Sequence, residues 1–133
     1  MIDWSDYPNF TEAEMRCKGF AKGLCSCGGQ ADMKPSFMMT LQRVRNAFGR
    51  PMVVNSGFRC PDYDKFLGGA GIHPKGRAAD IRVSGENAYH LLGCAYAMDV
   101  WGIGLKQHGP WPGRFMHLDT MSGPKRPRIW SYT

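Results

Sequence analysis

From Pro35 onward the chain moves between two rhythms of apolar residues, and each change of rhythm marks an element. Phe37, Met38, Leu41, Val44 and Phe48 recur at steps of three and four, the spacing of one helix face, with Pro35 suited to a first turn and Gly49 to the residue past the end. A helix is predicted there. Met52-Val-Val-Asn is a short β-branched run ending at Ser56-Gly57, a strand feeding a loop that extends to about Gly76. Loops of that length inside a small domain usually carry function. Ala79-Asp-Ile-Arg-Val alternates, which puts Ala79, Ile81 and Val83 on a buried strand face and Asp80 and Arg82 on the other.

After Ser84-Gly85, a stripe of Ala88, Leu91, Leu92, Ala95 and Met98 predicts a second helix ending near Asp99, with His90 just outside the stripe and facing solvent. Trp101-Gly-Ile-Gly-Leu and Arg114-Phe-Met-His-Leu-Asp read as two further strands, joined by a Pro- and Gly-rich loop around His108 to Gly113. In the second strand Phe115, His117 and Asp119 share one face. The expectation is an α+β fold with two main helices on a small, largely antiparallel sheet. Residues 1–34, with Gly19, Gly23, Gly28 and Gly29 among polar residues, read as an irregular N-terminal arm with one short helical turn at Thr11 to Met15.

Composition narrows the picture. The 133 residues suffice for one domain, and 43% hydrophobic with 21% charged residues is an ordinary globular balance. Lys and Arg outnumber Asp and Glu by 17 to 11, a formal charge of +6 that favours polyanions such as cell-wall polymers or nucleic acid. The basic residues are scattered and match no nucleic-acid motif, so nucleic acid is not expected as a partner. The first residues form no signal peptide and no stretch suits a membrane span; a soluble chain made in the cytoplasm is expected.

Five cysteines leave one unpaired under any disulfide scheme. The functional alternative is a zinc site from Cys17, Cys25 and Cys27, with or without Cys60, but a C-x-C pair lacks the paired C-x2-C knuckles of zinc ribbons. Half-buried thiols are the plainer expectation. The nine methionines read mostly as core filler. Trp101, Trp111 and Trp130 could line a groove or pack the core.

His73 and Asp80 flank the glycine-bearing segment His73-Pro-Lys-Gly-Arg-Ala-Ala-Asp80, and His117 lies on a strand able to pair beside Asp80. Two imidazoles and one carboxylate leave a fourth tetrahedral position on zinc open, as catalytic sites do. The neighbouring residues add weight. The His73 to Asp80 segment resembles the S-x-H-x-x-G-x-A-x-D signature of the M15 peptidases, a family of D-alanyl-D-alanine carboxypeptidases and dipeptidases and phage L-alanyl-D-glutamate endolysins. Val54-Asn-Ser-Gly-Phe-Arg59 is similar to its S-G-[YF]-R segment, and Leu41-Gln-Arg-Val-Arg45 to its L-Q-x-L-R helix. Phe115-Met-His-Leu-Asp119 resembles the F-V-H-V-D strand of the M15A-like branch, and Arg128-Ile-Trp130 that branch's ending.

The resemblance implies a DD-peptidase-like (Hedgehog-type) fold in a single domain over residues 1–133. It also implies Zn2+ held by His73, Asp80 and His117, and hydrolysis of a peptide bond involving a D-amino acid in bacterial peptidoglycan. The setting implied is a phage endolysin or virion-associated lysin, monomeric unless part of a virion and acting on the wall after release from the host cytoplasm. Two positions depart from the family: Gly71 stands where the signature has Ser, and Arg114 where several members carry a catalytic acid. Asp119 is therefore the first candidate for general base, or for orienting a ligand imidazole, and His108 the second. Arg59 is expected to bind an oxyanion or a substrate carboxylate. A non-catalytic zinc- or wall-binding virion component of the same fold is the alternative.

Overall fold

A computed structural model describes residues 2–133. Five strands, β1 (Val53–Ser56), β2 (Ala78–Arg82), β3 (Gly102–Lys106), β4 (Phe115–Asp119) and β5 (Arg128–Ser131), form one sheet in the order β1-β2-β4-β3-β5. Every neighbouring pair is antiparallel except β3 and β5, which run parallel. The α+β, largely antiparallel architecture expected from the sequence is the one observed. Four of the strands lie within a residue or two of the alternating runs. The fifth was not anticipated, because Ile129-Trp130 is too short an apolar run to alternate and Pro127 precedes it.

Among the described residues four helices accompany the sheet: α1 (Glu12–Met15), α2 (Pro35–Phe48), α3 (Pro61–Phe66) and α4 (Gly85–Ala97). Pro35 opens α2, where its missing N–H costs nothing. Gly49 closes it in the left-handed region at φ 67°, with its amide on the Arg45 carbonyl. In α1 the Thr11 side chain accepts from the Glu14 amide while the Glu14 carboxylate accepts from the Thr11 amide, a reciprocal cap. The stretch expected as continuous loop up to Gly76 holds α3 and a tight 3-10 turn, His73–Lys75. Six residues are too few to show a helical period; the usable signal was Pro61 followed by acids in the first turn.

Alternation gives the sheet two different faces. Ala79, Ile81, Ile103, Met116 and Leu118 join Phe37, Met38 and Leu41 of α2 and Leu91 and Ala95 of α4 in the buried core. Leu118 has no exposed surface, so Leu118→Ala would cost about 2–5 kcal/mol. The other face carries polar chemistry in two rows set by register. Asp80, His117, Gly104 and Trp130 lie side by side across β2, β4, β3 and β5; Ala78, Asp119, Gly102 and Arg128 form the next row.

Candidate functional site

His73, Asp80 and His117 come together although they reach the site from a turn and two strands. Their potential ligand atoms lie within 4.8 Å of one another, and all three residues are buried. Asp80 Oδ1 stands 3.0 Å from His117 Nδ1 and 3.4 Å from His73 Nε2. The second nitrogen of each imidazole is spoken for: His73 Nδ1 donates to the Gly57 carbonyl at 2.8 Å, and His117 Nε2 lies 2.7 Å from Asp119 Oδ2. Each ring thus turns its remaining nitrogen toward Asp80. Gly76 permits the turn that presents His73, because it sits at φ 72° and packs on the Asp32 carbonyl where any side chain would collide.

The polar shell continues outward on both sides. Arg59 donates through Nε to Ser56 Oγ at 3.0 Å, through Nη1 to Asp64 Oδ1 at 3.1 Å and through Nη2 to Asp80 Oδ2 at 3.1 Å. This leaves Asp80 Oδ1 to the histidines. Asp64 Oδ2 also accepts from the Gly71 amide at 2.9 Å, tying the loop before His73 to α3. On the far side Asp119 accepts four hydrogen bonds. Its Oδ1 takes the Met121 amide and Arg126 Nε, and its Oδ2 takes Arg126 Nη2 and His117 Nε2.

These contacts set the charges. Burial would raise the Asp80 carboxyl, but hydrogen bonds from His117 and His73 outweigh it and hold it well below the usual carboxylate range. Burial likewise opposes ionisation of Asp119, and its bonds to His117 and Arg126 still bring it down to about 2. For His117 burial favours the neutral form, while the hydrogen bonds to Asp119 and Asp80 win and raise it. An anionic centre faced by two imidazole nitrogens, in a pocket that stabilises positive charge, suits a divalent cation. Zn–N and Zn–O bonds near 2.0–2.1 Å in a tetrahedron separate ligand atoms by about 3.4 Å, close to what these atoms already have. The donor set fits zinc.

The centre opens onto a cleft of about 830 Å³ whose lining includes Arg59, Phe115, Arg126, Arg128, Trp130 and Tyr132. Trp130 packs at a tilt against His117, ring centroids 5.3 Å apart and planes 49° to one another. Burial pushes the Tyr132 phenol up, so it keeps its proton at neutral pH. His108, by contrast, is exposed, with Nε2 3.0 Å from the Tyr132 carbonyl, and does not line the cleft. Arg114 also turns away, onto the Gly109 carbonyl and over the Trp111 ring at 5.0 Å. His90 lies on the surface beside Glu86. Asp64, Arg126 and Tyr132 were not singled out from the sequence, since each acquires its place only through chain segments brought in by the fold.

With this geometry in view, comparison with known families decides the affiliation: the family model described as Peptidase M15 matches residues 8–119. The chain belongs to the M15 peptidases. The comparison with curated proteins gave no match. M15 peptidases are zinc enzymes, and the chain is accordingly a metallopeptidase of a family associated with peptidoglycan-type substrates. Among the described residues no helix is long and apolar enough to cross a membrane.

Proposed function

We propose that this M15 peptidase hydrolyses a peptide bond involving a D-amino acid in the stem peptide or cross-link of bacterial peptidoglycan, in the manner of a phage endolysin or virion-associated lysin. The observation that carries the reading is the convergence of His73 Nε2, Asp80 Oδ1 and His117 Nδ1 at the floor of a cleft. These three atoms would hold Zn2+, which when bound supplies an acidified water and polarises a carbonyl. The remaining work falls to the chain. The Gly57 carbonyl and Asp119 fix which nitrogen each histidine offers, and Arg59 holds the second oxygen of Asp80.

We assign Asp119 to positioning His117 rather than to proton transfer. Its two oxygens already accept four hydrogen bonds and it has no exposed surface, so it lacks a free lone pair facing the cleft. Arg59 is partly exposed to the cleft and keeps unused N–H groups for a substrate oxygen. Arg128 adds positive charge suited to stem-peptide carboxylates, and Tyr132 offers a phenolic proton as donor.

A second reading has one specific observation in its favour. The carboxylates lining the cleft are Asp64 and Asp80, both engaged, and the position held by an acid in several relatives is Arg114, turned away. A zinc- or wall-binding virion component without turnover would tolerate that arrangement. Digestion of purified peptidoglycan separates the two: new free amines and muropeptides of altered mass support hydrolysis, and the product masses name the bond. Binding to the polymer with no new amines at saturating zinc supports the second reading.

A further inference from the structure

We infer that the chain carries a second metal site, a structural Zn2+ bound by Cys17, Cys25, Cys27 and Cys60, which anchors the N-terminal arm beside the peptidase centre. The four sulfurs lie within 4.8 Å of one another. Cys17 Sγ is 3.9 Å from Cys25 Sγ, which is 3.7 Å from Cys27 Sγ. Four thiolates at about 2.3 Å from zinc stand about 3.8 Å apart along each tetrahedral edge, whereas a disulfide needs about 2.05 Å. These two separations match a tetrahedral edge, and the others stay within 4.8 Å.

Two further observations point the same way. Backbone amides already bond to the cluster's sulfurs, Cys60 N to Cys17 Sγ and Tyr63 N to Cys60 Sγ, each at 3.4 Å, as suits sulfur carrying negative charge. Tyr7, Phe10, Met15 and Met33 seat the two ends of the arm in the core, but the stretch between Cys17 and Met33 has little beyond the Cys17 amide on the Gln30 carbonyl and Lys22 Nζ on the Tyr63 hydroxyl at 3.4 Å. Between Cys17 and Met33 no hydrophobic side chain is fully buried, and no helix or strand forms between α1 and α2. A segment of that kind orders only if something offsets its conformational entropy, and a clip between segments 43 residues apart closes a large loop at once. Zinc does this in small domains through binding energy that becomes folding energy.

Binding is balanced as one Zn2+ replacing four thiol protons, giving a tetrathiolate of net charge −2 and releasing the protons to solvent. Zinc is favoured over harder cations because all four donors are thiolates and no position is left for water. Cys94, on α4, stays outside the cluster. The site also touches function. Cys60 follows Arg59 directly and opens α3, which carries Asp64, so the cluster lies behind the arginine that holds Asp80.

The test is zinc content of the full chain purified under reducing conditions, wild type beside three variants. We expect two zinc ions per chain in wild type and in Cys94→Ser, and one in His117→Ala and in the double variant Cys25→Ser/Cys27→Ser. Cobalt substitution adds a readout independent of activity. Sulfur-to-cobalt charge transfer in the near ultraviolet should persist in His117→Ala and vanish in the double cysteine variant. If that variant fails to fold, Cys94→Ser, which keeps only the four cluster thiols, decides through its cobalt spectrum and the release of one zinc by a mercurial thiol reagent at four equivalents. Absence of charge transfer in cobalt-loaded wild type overturns the proposal, as does an intact mass lower by two hydrogens per disulfide in freshly purified protein. Because His117→Ala empties only the other site, failure of the cysteine site and failure of the peptidase reading give different counts.

Discussion

Two arginine–aspartate pairs flank the histidine centre, and they are built from the same parts for different work. Arg126 grips one carboxylate with two nitrogens, Asp119 has no exposed surface, and the guanidinium is covered by Trp130 at 5.1 Å. Arg59 instead divides its nitrogens among Ser56, Asp64 and Asp80, with 16% of its side chain exposed toward the cleft. A bidentate, buried pair is stiff and fixes one histidine; a divided, partly open one braces a ligand and still presents N–H groups to whatever enters. Burial and division of hydrogen bonds, more than residue type, separate the two roles.

The largest expected effect comes from breaking the buried flank. Asp119→Asn keeps the size of the side chain but removes the charge that fixes His117, so zinc affinity should fall about 10 to 100-fold and activity should fall with it. Excess zinc should restore most of the activity. A variant that keeps its zinc yet loses about 10² to 10⁴ in kcat would make Asp119 the base and reverse the assignment.

Gly102 sharpens the same flank. A Cβ there would run into the Asp119 carboxylate, which is held by four donors and has nowhere to go, whereas at Gly104 it would meet the Trp130 indole at 2.6 Å. Gly102→Ala should cost about 1–3 kcal/mol and loosen zinc as well. Gly104→Ala should destabilise less and leave zinc affinity near wild type, since Trp130 is half-buried and can shift. Thermal melts with a zinc titration of both variants decide it; equal zinc affinities would mean that Asp119 is not rigidly seated.

On the open flank, Arg59→Lys retains charge but reaches one carboxylate at a time, so kcat/KM should drop about tenfold, about 1.4 kcal/mol, with a smaller loss of zinc affinity than Asp119→Asn. Unchanged kcat/KM would confine Arg59 to bracing. If instead zinc affinity fell as far as in Asp119→Asn, the contrast between the flanks would disappear.

Much of this centre was legible along single strands. Period two placed Asp80 opposite Ala79 and Ile81, and His117 and Asp119 opposite Met116 and Leu118, which is how the sheet divides them. What the sequence hid depends on neighbours across strands. The two glycines of Trp101-Gly-Ile-Gly-Leu looked like ordinary strand residues, yet Gly102 makes room for Asp119 and Gly104 for Trp130. Arg126 and Tyr132 gain meaning only once β5 pairs in parallel with β3, a long-range contact that no local period encodes. The cysteines were ambiguous for the same reason: Cys17, Cys25 and Cys27 share the arm, and the fourth thiol arrives from the loop after β1.

The smallest expected effect concerns His108, the other candidate for the base. An imidazole serving a cleft-bound water must reach it directly or through one further water, and must be free to take a proton. His108 donates through Nε2 to the Tyr132 carbonyl and so keeps Nδ1 as an acceptor, but it is exposed and lies outside the cleft lining, away from any water held there. His108→Ala therefore removes one exposed hydrogen bond at the end of β5 and should change stability by no more than about 0.5 kcal/mol, with kcat unchanged. A slight rise in KM is tolerable, because Tyr132 lines the cleft and would be less firmly held. The discriminating measurement is kcat against pH in wild type and variant, both at saturating zinc. A loss of a hundredfold or more in the variant, together with disappearance of an inflection present in the wild-type profile, would bring His108 into the cleft during turnover, and the open flank would then include a moving loop as well as Arg59.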